Sequence, residues 1–422
     1  MKVRHLTAVA AVVAVATAAC SSSDPDEADS GPQTLTVWYM DGSLSDDTAA
    51  AVKKQFEADH KDVTVKYQVQ TWDNIGEKLT TAMSSKSSPD VVEIGNTQVA
   101  QYASVGALAD LTDSVGDFDN SDSWLPGLAE PGQWEDATFA IPFYAGDRTV
   151  IYRTDMFDKA GVEVPTSWDE FIALGEPLSK AHAGDKKFMP LYLPGQEWYT
   201  LASLVWDEGG DLAAQSGDSW EGTLSTPEAQ AGMQRYQEMY DALSKAPADI
   251  DEATPQQFEV MAQGSTAMMI GLAWEKGSVE TTNTELADKL GVFALPSKSA
   301  GQPAPPFVGG SDLAVPAASD AQQLGTEFVQ LVASTEIQTL LAEGGAIPNS
   351  AALADVASDN EVLQVQIAAA ETGQVTPVTP GWAAVETAPN PIKDMMTKVL
   401  TGTPIPDAAA EADKLITDRM AG

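Results

Sequence analysis

The sequence predicts an α/β fold with room for two domains. Strand-like and helix-like segments alternate along most of the chain, a pattern typical of parallel sheets that helices cover on both faces. Roughly 390 residues follow the N-terminal targeting segments, and 43% of the chain is hydrophobic, which is enough for two buried cores. The single cysteine, Cys20, lies near the N-terminus, so hydrophobic packing has to stabilise the fold without disulfides.

The first 33 residues carry targeting features. A basic start precedes the apolar run Leu6 to Ala16 and a few small residues before Cys20, which is the layout of a secretory signal. The run is too short for a permanent transmembrane helix, which needs about 20 apolar residues. We therefore predict a signal peptide at residues 1–19. Residues 20–33, rich in Ser, Asp, Glu, Gly and Pro, are predicted to form a flexible tether.

Cys20 is the predicted attachment point of a lipid. The residues around it resemble the lipobox of bacterial lipoproteins, in which the cysteine becomes the first residue of the mature chain and carries lipid. Thr17 stands where that pattern usually has leucine. The alternative is an ordinary secretory signal with an incidental free thiol. Lipidation would hold the protein on the outer face of the cytoplasmic membrane.

A first block of alternating elements follows the tether. "LTVWYM" is strand-like, and the next helix has Val52 and Phe56 one turn apart with acidic residues at its start, which suits the helix dipole. The predicted elements are, in order, a strand at 35–40, a helix at 46–60, a strand at 63–69, a helix at 72–84, a strand at 90–94 and a helix near Thr97.

A second block begins at "RTVIYR", residues 148–153. Its further predicted elements are a helix at 168–183, a strand at 188–193, helices at 226–243 and 255–263, and a strand at 266–270. Residues 293–315 are dense in Pro and Gly and are predicted to cross between lobes, not to form the interior of a strand. The last hundred residues are predicted to be mostly amphipathic helix.

The charge of the chain limits its partners. Loss of Lys2 and Arg4 with the signal takes the formal charge from −39 to −41. Such acidity excludes nucleic acid and an anionic membrane surface as partners, and it argues against phosphorylated or carboxylate-rich ligands. Neutral and cationic ligands remain. We favour a solvated acidic surface over a specific cationic partner as the explanation of the charge.

Motifs for enzyme chemistry are missing from the sequence. It has three histidines, no mature thiol other than Cys20, no G-x-S-x-G and no phosphate-binding loop, so we predict no catalytic residues, cofactor or metal. Residues 117–128 depart from a calcium loop at Asp122 and Leu128. A glycosidase stays open as an alternative because it needs only two well-placed carboxylates.

Tryptophan in predicted loops is the strongest functional signal. Trp72, Trp198, Trp206, Trp274 and Trp382 all lie where a predicted element ends. A tryptophan in such a loop can present a flat ring to the apolar C–H face of a pyranose, while nearby polar groups bind its rim. The alternative for each ring is a lid over the hydrophobic core. Trp38, inside a strand, is predicted to belong to the core.

Several segments together resemble one family. They are "LTVWYM", "PDVVEIGNTQ", "IPFYAGDRTVIYRTDMFDKAGVEVPTSWDEF", "MMIGLAW", "PPFVGGSDLAV", "GGAIPNS" and "GWAAVE". In this order, from about residue 34 to the end, they resemble the extracellular sugar-binding proteins of ABC importers, the group that includes maltose-binding protein. "EIGNTQ" and "VWYMDGS" are most similar to lipoproteins that take up N-acetylglucosamine oligomers such as chitobiose.

The resemblance implies a periplasmic-binding-protein-like α/β fold of two lobes, with crossover hinge strands and a ligand cleft between the lobes. The implied crossings lie near 143–147, 295–299 and 347–350. Lobe 1 would comprise residues 34–143 and 299–347, and lobe 2 residues 144–298 and 348–422. The family has no catalytic residues.

The resemblance also implies the residues that contact the ligand. From lobe 1 and the hinge they are Asp41, Gly42, Ser43, Trp72, Asn96, Gln98, Tyr144, Arg148, Gly310, Ser311 and Asp312. From lobe 2 they are Trp274 and Trp382, with Glu197 and Trp198.

The function that follows is capture of a neutral di- or oligosaccharide by hinge closure and its delivery to a membrane permease. A chitobiose-like ligand is favoured, and cellobiose, maltose and trehalose remain possible. The alternatives are a secreted glycoside hydrolase and a binder of polyamines or peptides. We expect a monomer.

Overall fold

The computed structural model describes residues 33–72, 74–217, 219–357, 360–370 and 372–421. The predicted signal peptide, Cys20 and nearly all of the predicted tether lie outside these residues. Within them the strands are β1 (Gln33–Met40), β2 (Val63–Gln70), β3 (Val91–Gly95), β4 (Gln133–Trp134), β5 (Ala137–Thr138), β6 (Ala140–Gly146), β7 (Thr149–Arg153), β8 (Met189–Tyr192), β9 (Ala213–Ser216), β10 (Ser219–Gly222), β11 (Thr266–Gly271), β12 (Leu290–Phe293), β13 (Gly309–Ala314) and β14 (Ile347–Pro348).

The helices of the described residues are α1 (Asp46–Asp59), α2 (Ile75–Met83), α3 (Val99–Ser104), α4 (Pro126–Ala129), α5 (Thr154–Ala160), α6 (Trp168–Ala173), α7 (Gly175–Ala181), α8 (Trp198–Asp207), α9 (Pro227–Leu243), α10 (Gln257–Ala262), α11 (Ala273–Thr282), α12 (Gln322–Val332), α13 (Thr335–Glu343), α14 (Glu361–Ala370), α15 (Trp382–Glu386), α16 (Pro391–Leu400) and α17 (Ile405–Met420). Short 3₁₀ turns lie between them, including Asn96–Gln98.

Two sheets form the centres of two lobes. The first sheet has the strand order β14-β6-β13-β3-β1-β2, and the second has the order β12-β7-β11-β8. Helices pack on both faces of each sheet, so apolar side chains of every central strand are buried. The two-lobed α/β fold predicted from the sequence is confirmed.

The first sheet is mixed, which corrects the prediction of a purely parallel sheet. Strands β2, β1 and β3 pair in parallel, as the alternation of strands and helices predicts. Strand β13 then inserts between β3 and β6 and is antiparallel to both. The prediction that residues 293–315 contain no strand interior is therefore wrong for Gly309–Ala314. Strands on both sides supply hydrogen bonds to this glycine-rich segment, and local composition does not show such partners.

The chain passes between the lobes near two of the three implied crossings. Strand β6 of the first sheet leads through Asp147 and Arg148 directly into β7 of the second, and residues 294–308 connect β12 back to β13. Strand β14 pairs with β6 at the edge of the first sheet. The exact domain limits given above stay a prediction, and β1 begins two residues earlier than predicted.

Local sequence explains several helix boundaries. Ser45 caps α1 by accepting a hydrogen bond from the Thr48 N–H, and Thr226 caps α9 in the same way, directly before a proline. The helix predicted over 168–183 is two helices, α6 and α7. Gly175 and Pro177 interrupt it, because proline cannot donate to the preceding turn and glycine lowers helix propensity.

Candidate ligand-binding site

A hydrogen-bonded cluster lies near the carboxyl end of β3 in the first lobe. Ser43 Oγ donates to Glu93 Oε1 over 2.8 Å, and the hydroxyl of Tyr144 donates to the same oxygen over 3.1 Å. The Met40 N–H donates to Glu93 Oε2 over 2.7 Å, and Ser311 Oγ donates to the Tyr144 hydroxyl over 3.4 Å. Three predicted residues, Ser43, Tyr144 and Ser311, are thus brought together around a carboxylate that sequence analysis missed.

Glu93 is fully buried in β3. Burial raises the pKa of its carboxyl group, and the hydrogen bonds from Met40, Ser311, Ser43 and Tyr144 act against this shift. The available signal was the single charge within "VVEIG", since a charge in an otherwise apolar buried strand needs partners. Because Glu93 orients three hydroxyl groups, it can fix the direction in which they present hydrogen bonds to a ligand.

An exposed edge borders this cluster. Asp41 and Gly42 follow β1 and are exposed, with Gly42 at φ +90°, where glycine is favoured. Trp72 is 47% exposed, and its ring approaches Gly95 so closely that a Cβ added there would lie 3.5 Å from the indole. The ring therefore lies over the end of β3 with much of its surface open to a ligand.

Other predicted residues of the first lobe are buried or half-buried. Asn96 Nδ2 donates to the main-chain oxygens of Gly127 and Val308, over 3.2 and 3.3 Å, so its amide N–H groups already have partners within the protein. Gln98 is half-buried, and its Oε1 lacks a hydrogen bond. Asp312 is fully buried without a hydrogen bond to either carboxylate oxygen, and burial raises its pKa well above the usual range.

Gly310 fixes the path of β13 beside this cluster. Its φ of +146° lies in a region that L side chains rarely adopt, and an added Cβ would lie 2.3 Å from the Tyr144 carbonyl oxygen. Glycine at this position therefore lets β13 approach β6 and places Ser311 next to the hydroxyl of Tyr144.

Arg148 forms the centre of an ionic cluster at the hinge side of the second lobe. Its Nε lies 3.1 Å from Glu197 Oε1, and its Nη2 lies 3.8 Å from Glu252 Oε1. The guanidinium carbon lies 3.8 Å from the centroid of the Tyr199 ring, in cation–π geometry. Burial raises the pKa of Glu197, and the charge of Arg148 opposes this shift. Arg148 and Glu197 are therefore paired with each other, as well as being candidates for ligand contact.

Trp198 does not present a free ring, which corrects the sequence-based expectation. Glu197 is the N-cap of α8 and accepts a hydrogen bond from the Thr200 N–H over 2.8 Å, so the helix begins at Trp198. The Trp198 ring turns into the second core and is 3% exposed. Trp206, at the other end of α8, is buried as well.

Tyr199 is the aromatic candidate that sequence analysis missed. It follows Trp198 by one helical position, or about 100° around the axis, so its ring packs at the edge of the core that Trp198 enters and is less buried. Its ring is half-buried and contacts Arg148 and Phe307. The N-cap at Glu197 was the signal that could have distinguished Tyr199 from its neighbour.

Trp382 is also buried, contrary to the prediction of an accessible loop ring. It is the first residue of α15, is 0% exposed, and packs in the core of the second lobe. Its indole N–H donates to Glu386 Oε1 over 2.8 Å. The other carboxylate oxygen of Glu386 accepts a hydrogen bond from Thr97 Oγ1 over 2.9 Å, and Thr97 belongs to the first lobe. Sequence analysis predicted no role at the site for Glu386 or Thr97.

Trp274 presents an open ring, as predicted. It is 53% exposed and makes an edge contact with Phe258. It lines a cavity of about 530 Å³ between α11, the end of α13 and the start of α14. This volume lies within the usual range of small-molecule sites. The cavity does not include the cluster of Ser43, Tyr144 and Ser311, so the structure does not gather every predicted residue into one pocket.

The arrangement offers binding groups. Two half-exposed indoles, one tyrosine ring and several oriented hydroxyls provide stacking surfaces and hydrogen bonds. Among the described residues, no group of three or more His, Cys, Asp or Glu side chains could hold a metal ion.

A family model named "Bacterial extracellular solute-binding protein" matches residues 41–339. The chain belongs to this family. It is 40% identical over 415 residues to the diacetylchitobiose binding protein DasA of Streptomyces coelicolor, and the match covers 96% of each chain. These relationships place the chain among binding proteins and not among enzymes.

Solved structures agree with this fold. The GacH receptor of Streptomyces glaucescens, determined without ligand and with acarbose, has a TM-score of 0.79 and 26% identity, over 92% of this chain and 98% of that one. The sugar-binding protein MalE of Xanthomonas citri has a TM-score of 0.78 at 18% identity, over 92% and 97% of the two chains. The described helices of this family member include none long and apolar enough to cross a membrane.

Proposed function

We propose that this solute-binding protein captures diacetylchitobiose or a related N-acetylglucosamine oligomer between its lobes and delivers it to the permease of an ABC importer. The observation that carries the proposal is the 40% identity to a diacetylchitobiose binding protein across 96% of both chains. Identity of this extent covers both lobes and the hinge, which are the parts that together form a binding cleft.

The described side chains support a sugar ligand. The half-exposed indoles of Trp72 and Trp274 can stack on the C–H faces of pyranose rings, and Tyr199 offers a third ring. Ser43, Tyr144 and Asp41 provide polar groups for hydroxyl or acetamido substituents. A ligand that contacts both lobes favours the closed arrangement, because only that arrangement allows all the contacts at once.

We propose further that Cys20 carries a lipid that holds the protein on the outer face of the cytoplasmic membrane. Its support is the lipobox-like sequence and the extracellular description of the family. Labelling of cells with a radioactive fatty acid tests it. Label should enter the parent chain and be absent from Cys20→Ser, which should also be released from the membrane.

Calorimetric titration with diacetylchitobiose, maltose and cellobiose tests the ligand. We expect micromolar or tighter binding of diacetylchitobiose, about −8 kcal/mol or more favourable, without release of monosaccharide. Trp72→Ala should weaken binding at least tenfold, about 1.4 kcal/mol. The matched control is Trp220→Ala, which removes a ring from the β9–β10 hairpin and should leave affinity unchanged. Absence of binding, or cleavage of the sugar, would contradict the proposal.

A further inference from the structure

A carboxylate of the second lobe is hydrogen-bonded to the first lobe. Glu386, the last residue of α15, accepts from Thr97 Oγ1 over 2.9 Å, and Thr97 lies in the 3₁₀ turn that follows β3. Its other oxygen accepts from the indole N–H of Trp382 in its own helix, over 2.8 Å. Both oxygens of one half-buried side chain are thus engaged, one of them by the other lobe.

The short helix that carries Glu386 is fixed to the rest of the second lobe. Arg419 of α17 donates to the main-chain oxygens of Ala384, Thr387 and Pro389, over 3.0, 2.8 and 2.8 Å. These oxygens lie at the C-terminal end of α15, where a helix leaves carbonyl groups without partners and where a cation is favourable. Because the ring of Trp382 is buried at the other end, α15 holds Glu386 in one place relative to the second lobe.

We propose that Thr97 and Glu386 form a latch between the lobes, which stabilises the closed cleft and takes up a proton as the cleft closes. The latch goes beyond the proposed sugar binding, since it acts in the protein without ligand. It makes the equilibrium between open and closed cleft depend on pH.

The direction of the pH dependence follows from burial. With the hydrogen bond between the lobes formed, burial raises the pKa of Glu386 from its ordinary value of 4.5 to about 7, and the hydrogen bonds from Trp382 and Thr97 act against this shift. Opening withdraws Thr97 and admits water, which returns the pKa toward its ordinary value. Closing is therefore most favourable below about pH 4.5 and weakens about tenfold per pH unit until about pH 7.

The groups that face Glu386 do not cancel this effect. The turn Asn96–Gln98 of the first lobe carries no charge, and Arg419 of α17 is engaged with main-chain oxygens. Tyr199 of α8 is within electrostatic reach, and burial raises its pKa further above the physiological range, so it stays neutral. Desolvation is the dominant influence on Glu386, and protonation relieves it.

The test measures the distance between two spin labels in the sugar-free protein. In the full chain with Cys20→Ser, the substitutions Lys86→Cys and Lys186→Cys place one label on an exposed site of each lobe. We expect a closed population at about pH 5 that falls roughly a hundredfold relative to the open one by about pH 8. In Glu386→Gln, which keeps the side-chain shape, the ratio should not change with pH.

A second variant isolates the hydrogen bond. Thr97→Val should lower the ratio of closed to open protein about tenfold at about pH 8, because it removes a bond to a charged acceptor. The matched control is Thr387→Val at the C-cap of α15, where the hydroxyl donates to the Ala383 oxygen over 3.0 Å; this variant should match the parent.

Three results would overturn the latch: a single open distance at every pH, equal pH dependence in Glu386→Gln and the parent, or no effect of Thr97→Val. None of these measurements uses a sugar, so a failure of the proposed ligand would be recognised separately by calorimetry.

Discussion

Replacement of Arg148 by methionine tests whether the ionic cluster at the hinge stabilises the second lobe. Methionine keeps much of the side-chain volume and removes the charge. Glu197, which is fully buried, would keep only its N-cap hydrogen bond from Thr200, and Glu252 would lose its nearest cation. The ring of Tyr199 would also lose its cation–π partner.

The expected magnitude follows from the buried pair. Removal of one partner of a buried ion pair costs about 3–5 kcal/mol, because the other charge is left uncompensated. Glu197 can reduce this cost by taking up a proton, since burial already raises its pKa. We therefore expect a loss of about 3 kcal/mol near pH 8 and a smaller loss near pH 5, where protonation is easier. A loss of 3 kcal/mol corresponds to a fall in Tm of roughly 6–12 °C.

Differential scanning calorimetry at the two pH values measures the loss. Arg148→Met combined with Glu197→Gln should recover at least half of it at pH 8, because the uncompensated charge is gone. The matched control is Arg153→Met, whose partner Asp155 is more exposed and which should lose less stability. A loss below about 1 kcal/mol, or a double variant as unstable as the single one, would refute the reasoning.

Three further predictions concern single sites. Burial raises the pKa of Glu275 to about 7, so its contribution to stability is complete below about pH 4.5 and is lost as the pH rises through 7. In urea denaturation, the free energy of unfolding of Glu275→Gln should therefore rise relative to the parent, by up to about 3 kcal/mol, as the pH increases from 4.5 to 7. Equal pH profiles for the two proteins would contradict this prediction. Gly310→Ala meets a main-chain oxygen of β6 at 2.3 Å with φ at +146° and should cost about 2 kcal/mol or more, whereas Gly42→Ala has no atom within 4 Å and should cost about 1 kcal/mol. In thermal unfolding, Trp382→Ala should lose about 3–5 kcal/mol and Trp72→Ala about 0.5 kcal/mol, and the reverse order would show that burial was misjudged.

Local pattern was sufficient for most elements of the fold. The elements β1, α1, β2, α2 and β3 were predicted in the correct order and within three residues at each boundary. The hydrophobic periods of 2 and 3.6 residues that predict them can be recognised within each segment alone. Strand β13 was missed for a different reason. Its glycines give no strand signal, and it exists because β3 and β6 offer hydrogen bonds on both sides. Pairing between distant segments is not visible in either segment alone.

Ring direction was the main obstacle at the candidate site. Trp72 and Trp274 were expected to be exposed and are exposed, whereas Trp198 and Trp382 each begin a short helix and turn into the core. A shift of one residue in the start of a helix rotates a side chain by about 100° around the axis. The position of a tryptophan in a predicted loop therefore does not show whether its ring is open to a ligand or covers the hydrophobic core. The ligand role of all four residues stays a prediction.

The partners of the cleft carboxylates bear on the choice between a neutral and a cationic ligand. A chain with a formal charge of −39 could be expected to bind a cation. However, Glu93 accepts from Met40, Ser43 and Tyr144, and Glu386 accepts from Thr97 and Trp382. A cationic ligand would have to displace donors that already satisfy these oxygens, at the cost of leaving those donors without partners. A sugar needs no such exchange, because its hydroxyl and acetamido groups both donate and accept. The acidity of the whole chain and the neutrality of the proposed ligand are therefore compatible.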